Sequence, residues 1–166
     1  MNSDISKLPP HIKRRIEFLI QEALNKSPRD QVITYCMRVL SNHATVGMDA
    51  GSYKVKITNQ VLSRNAEILL KQSTSLKEWA EGCINEHQIP LKEIWDWLCS
   101  EGKRLSPEEV WDKFYSSKMV TITKKEDQML NSQGLRSKSN NFCRYLKSGI
   151  EVIHLEKSPQ LLFEKE

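Results

Sequence analysis

Three times between residues 75 and 126 a hydroxyl residue stands three places ahead of a glutamate: Ser75-Leu76-Lys77-Glu78, Ser106-Pro107-Glu108-Glu109 and Thr123-Lys124-Lys125-Glu126. Each is a capping box, in which hydroxyl and carboxylate satisfy two of the amides left open at a helix start. The three boxes commit the chain to several separate, short helices. Proline supplies further starts at Pro9-Pro10, at Ser27-Pro28-Arg29-Asp30 and at Pro90, because the first helical position needs no amide proton.

Between these signals the apolar residues recur with helical spacing. Ile12, Ile16, Leu19, Ile20, Ala23 and Leu24 form one stripe, and Val32, Ile33, Cys36, Val39 and Leu40 a second. Residues 42–52, with two glycines, read as a loop, and Tyr53–Ile57 as a short strand or a lead-in to the next helix. A third helix is predicted over 58–71. Helices opened by Ser75 and Pro90 follow, the second presenting Leu91, Ile94, Trp95 and Leu98, with Trp97 off that stripe and expected to pack on the N-terminal helices. After the Ser106 box the pattern changes. "MVTIT" (119–123) is β-branched and alternating, hence a strand. The Thr123 box opens a short helix ended by Gly134, and 137–148 form another, stopped by Gly149. Strands are expected over 150–155 and 160–164.

The expected fold is therefore mainly α: a helical N-terminal half (1–71), a helical connector (75–104) and an α+β region (105–166) with a small antiparallel sheet. No internal repeat is visible. With 39% hydrophobic and 28% charged residues the chain suits a folded rather than a disordered protein. No apolar run approaches a membrane span, and the charge-broken N-terminus lacks the core of a signal peptide. The chain reads as soluble and intracellular, cytoplasmic or, if eukaryotic, nuclear. In that compartment Cys36, Cys83, Cys99 and Cys143, widely spaced and without a CxxC pair, read as buried thiols.

No phosphate-binding glycine loop, dinucleotide motif or HExxH is present, so the chain reads as non-catalytic, with no cofactor. His11, His43, His87 and His154 fall on different predicted elements, and nothing in the sequence joins one to a nucleophile. Cys83 and His87, four apart on a predicted helix, are two ligands where structural zinc wants four, so no metal is expected.

Charge gives the positive signal. The net charge is +4, yet residues 118–147 carry seven lysines and arginines against only Glu126 and Asp127. From 105 to 166 the order helix, strand, helix, turn, helix, strand, turn, strand resembles a winged-helix domain of the helix-turn-helix superfamily. Met129, Leu130, Leu135 and Cys143 fall where that pattern wants apolar residues, while Gln133 and Asn140 depart from it.

The resemblance implies DNA as the partner, read by the helix at about 137–148. Leu135, Phe142, Cys143 and Leu146 would pack inward. Ser137, Asn141, Arg144 and Ser148 would face the groove, flanked by Lys138 and Tyr145. Arg144 and Lys138 would meet phosphate or guanine, and Asn141 adenine. Arg136, Lys147, Lys124 and Lys125 would hold phosphates, and Lys157 would touch the backbone from the wing tip. A regulatory or replication-accessory role fits. The alternative is a protein-interaction module, or a homodimer, docking through the N-terminal helices and the basic face.

Overall fold

The computed structural model describes residues 4–100, 104–135 and 143–164. After a 3-10 turn at Ile5–Lys7 come, in chain order, α1 (Pro10–Leu24), α2 (Gln31–Val46), α3 (Ser52–Thr58), β1 (Val61–Ser63), α4 (Arg64–Gln72), α5 (Leu76–Gly82), β2 (Cys83–His87) and α6 (Leu91–Ser100). Then follow α7 (Pro107–Tyr115), β3 (Met119–Thr123), α8 (Lys124–Ser132), α9 (Cys143–Lys147), β4 (Val152–His154) and α10 (Pro159–Phe163). The chain is helix-rich with one small sheet, and none of the described helices is long and apolar enough to cross a membrane.

The elements fall into two compact units, each built from two stretches of chain: Met1–Asp49 with Leu91–Lys118, and Ala50–Pro90 with Met119–Glu166. This corrects the expected boundaries near residues 72–75 and 105. The connector helix α6 and the helix α7 belong with the N-terminal helices.

In the first unit α1 packs on α2, α6 and α7. The apolar stripes do this, with Ile12, Ile16, Leu19, Met37, Leu40 and Phe114 all inaccessible to solvent. Asp30, rather than the Ser27-Pro28 pair, caps α2 by accepting the Ile33 amide at 2.8 Å. The helix runs past the expected loop start at 42 and ends at Gly47, whose φ of +73° suits a residue without a Cβ. Trp97 meets α7, with the Lys113 ammonium 5.1 Å from its ring centre.

The second unit holds the sheet, in the order β2-β3-β1-β4. It is mixed, which corrects the expected antiparallel sheet: β1 is parallel to β3 and antiparallel to β4, and β2 is antiparallel to β3. Central β3 is buried on both faces, as its run of Val, Ile and Thr allows. One apolar cluster gathers Leu62, Ala66, Leu70, Trp79 and Cys83, with the Trp79 indole donating to the Ala66 carbonyl at 2.9 Å. The other gathers Val120, Ile122, Leu130, Tyr145 and Ile150.

Four expected elements differ. Residues 61–63 are a strand, not the start of a helix, because they pair on both sides. Residues 83–87 leave the helix opened by Ser75 and pair along β3 from Cys83–Thr123 to His87–Met119. Residues 52–58, expected as a short strand or a lead-in to the next helix, form a separate helix that ends before β1. The expected last strand is α10, with Ser158 extended before Pro159 at the first helical position.

Candidate nucleic-acid interface

Two neighbouring strands of the second unit each run directly into a capped helix. Ser63 ends β1 and caps α4, and Thr123 ends β3 and caps α8. Glu126, itself buried, joins the two caps. Its Oε2 accepts from the Thr123 amide at 2.8 Å, the Thr123 hydroxyl at 2.9 Å and the Ser63 hydroxyl at 2.6 Å. Its Oε1 accepts from Asn65 Nδ2 at 3.0 Å. The carboxylate of the expected capping box thus also ties the ends of the neighbouring strands β1 and β3.

Asp127 is buried beside it, while Lys124 and Lys125 are exposed. The first turn of α8 therefore turns both of its acids inward and both of its lysines outward. Lys56 on α3 adds a third cation. Its ammonium donates to the Ala80 carbonyl at 2.8 Å. Burial pulls its pKa below the ordinary lysine value, and the charge of Lys124 pulls the same way against the opposing influence of Cys83. Nothing in the sequence signalled Lys56, because α3 and α5 bring it there from far along the chain.

The remaining expected contacts are distributed unevenly. Arg136, Lys138 and Asn141 lie outside the described residues. Lys147 is exposed at the end of α9, and Lys157 is exposed in the bend after β4. Arg144 is a correction: it is buried rather than groove-facing, with its guanidinium 2.7 Å from the Glu86 carboxylate and donating to the His87 carbonyl. Its neighbour Tyr145 is also buried, and burial pushes the phenol pKa up to about 12. Ser148 is buried too and donates to Gln133 at 2.6 Å, whereas Leu146 is 76% exposed. The described part of α9 is thus rotated from the expected orientation, because Glu86 of β2 draws Arg144 inward. Arg64, at the start of α4, is neutralised by Glu67 at 2.6 Å and Glu151 at 2.9 Å.

Cys83 and His87 lie on a strand, where residues four apart are too far separated to share one ion. Among the described residues no group of three His, Cys, Asp or Glu side chains is placed to hold a metal. In the first unit the structure joins two histidines that the sequence left apart. His11 Nε2 stands 2.8 Å from Asp49 Oδ2, and His43 Nδ1 stands 3.2 Å from Asp49 Oδ1. Hydrogen bonding to His11 and then to His43 holds the Asp49 carboxyl below the ordinary carboxylate range.

No protein-family model, curated protein or solved structure matches this chain.

Proposed function

We propose that this protein is a non-catalytic DNA-binding protein, regulatory or replication-accessory, that grips duplex DNA through the cationic surface of its sheet-bearing unit. One observation carries the reading. Glu126 and Asp127 are buried while Lys124 and Lys125 stand exposed, so the first turn of α8 offers solvent only positive charge. Lys147 and Arg136 are further candidates for phosphate contact, and Lys138 and Asn141 for base contact. Arg144 is removed from that set and acts as a structural residue.

The winged-helix resemblance enters this reading as element order alone. The order β3, α8, α9, β4 follows it. The partner of β4 is β1, from outside 105–166, and α10 stands in place of the second wing strand.

Anisotropy of a labelled random-sequence duplex tests the proposal, titrated with intact protein between about 50 and 200 mM salt, with Lys124→Ala/Lys125→Ala alongside. Each phosphate contact that the substitutions remove should flatten the salt slope by about 0.9. Both lysines are exposed, so the variant should fold normally. Binding that ignores both salt and the substitutions would overturn the reading.

A second reading, a protein-interaction module, is favoured by a different surface. The Lys54–Gln160 hydrogen bond, at 2.9 Å, ties α3 to α10, and beside it Tyr53, Leu161 and Leu162 remain exposed. Affinity capture that yields a stoichiometric protein partner, insensitive to nuclease and lost in Leu161→Ser/Leu162→Ser, would favour it.

A further inference from the structure

A second cationic surface lies on the first unit. Gln31, Thr34, Tyr35 and Arg38 fall at i, i+3, i+4 and i+7 of α2 and so share one helix face. Together with Arg29 and Asp30 they line a surface groove. The Tyr35 ring is 62% exposed, and the guanidinium of Arg15, from α1, sits over it 6.0 Å from the ring centre, within cation–π range. A ring covered by one guanidinium yet this exposed keeps its other face open to solvent.

Among the described residues no carboxylate pairs with Arg15, Arg29 or Arg38, and the Arg15 Nε is buried with no hydrogen-bond partner. The one acid lining the groove, Asp30, is engaged as the α2 cap. This contrasts with Arg64, which holds two carboxylates, and with Arg104, which holds Glu17 at 2.6 Å.

An open aromatic face beside unneutralised guanidiniums matches one ligand chemistry best. Arginines attract phosphates, and an exposed ring stacks on the face of a base. A duplex buries those faces in its own stack, so it would use the arginines and leave Tyr35 idle. We propose that this groove binds single-stranded nucleic acid, with an unpaired base stacked on Tyr35 and the neighbouring phosphates held by Arg29 and Arg38. The groove is independent of the α8 surface and adds a second kind of nucleic-acid contact on separate residues.

The test is anisotropy of a labelled oligothymidylate of about 20 nucleotides, long enough to cover a site of this class, against intact protein at low salt. Tyr35→Ala should weaken binding about tenfold or more, while Tyr35→Phe, which keeps the ring, should not. Arg29→Ala/Arg38→Ala should weaken binding and flatten its salt dependence. Lys124→Ala/Lys125→Ala should weaken duplex binding more than oligothymidylate binding, and Tyr35→Ala the reverse, which separates this site from the duplex surface, titrated in parallel. Tyr35, Arg29 and Arg38 are exposed, and an unchanged thermal melt verifies that the variants fold. Absence of oligothymidylate binding by folded protein would overturn the proposal. So would equal affinity in Tyr35→Ala, or equal competition by polyglutamate.

Discussion

The Arg144 guanidinium lies 2.7 Å from the Glu86 carboxylate, with only 2% and 11% of the two side chains exposed. A charge pair this enclosed gives up hydration on both sides, so its net contribution is small while both partners remain. Removing one partner strands the other. Arg144→Met should therefore cost about 3–5 kcal/mol in urea denaturation. Arg144→Met combined with Glu86→Leu should recover part of that loss, because no uncompensated charge is left. A double variant less stable than the single would contradict this account. Any loss of DNA binding in an Arg144 variant must accordingly be tested against loss of fold.

Glu126 is the corresponding hub at the strand–helix junctions. Glu126→Ala removes half of a capping box and leaves the Ser63 hydroxyl and the Asn65 amide without their acceptor. Ser63 is buried, and an unsatisfied buried group costs about 1–3 kcal/mol, while the exposed Asn65 can turn to water; with the weakened cap a loss of about 2–4 kcal/mol is expected. Glu126→Gln should cost less. Its carbonyl oxygen can keep the Thr123 and Ser63 bonds, and Asn65 can flip to offer an oxygen to the new amide. Equal destabilisation by the two substitutions, measured from urea midpoints, would show that the charge rather than the hydrogen bonding is what counts.

These two carboxylates mark how far the sequence could be read. The Ser106–Glu109 and Thr123–Glu126 boxes are local, and both form as expected. At Ser75 only the hydroxyl half forms, and the Glu78 carboxylate accepts from Thr74 instead. Gly134 and Gly149 end their helices at positive φ for equally local reasons. "MVTIT" announces β3 because β-branched residues alternate there. By contrast, β1 and β2 gain their stability from partners far away, at Thr121, Ile153 and the whole of β3. "VLS" and "CINEH" carry no periodicity of their own that would reveal this. Arg144 reads as a polar-face residue until Glu86, on another element, turns it inward. The helix α10 was legible after all. Ser158-Pro159 repeats the cap-then-proline signature of Ser106-Pro107, which outweighs the apolar run behind it.

The thiols give a chemical check on the interior. Burial pushes Cys36 up to about 11 and Cys83 up to about 12, and Cys99, which is only half-buried, is raised as well. Iodoacetamide attacks the thiolate, which in the native protein is scarce and enclosed at Cys36 and Cys83. At about pH 8 Cys99 should be modified first of these three, and the other two only on denaturation. Mass mapping of labelled peptides would show the order, and early labelling of Cys83 would place the start of β2 outside the core.

Asp49 predicts a pH dependence with a definite sign. Its carboxyl lies below the ordinary value of 3.8 because His11, and then His43, hydrogen-bond to the charged form. A group depressed in the folded state contributes stability that is fully present above its unfolded pKa and disappears as pH falls through the folded one. Asp49→Asn should therefore lower the urea midpoint at about pH 5, and the difference should shrink as pH falls below the ordinary carboxylate range. Asp49 is 60% exposed, so solvent screening keeps the difference below about 1 kcal/mol. His11→Gln should reproduce most of the effect, since His11 makes the closer contact with the carboxylate. A midpoint difference that grows toward acid pH would have the wrong sign and would reject the bridging role of Asp49.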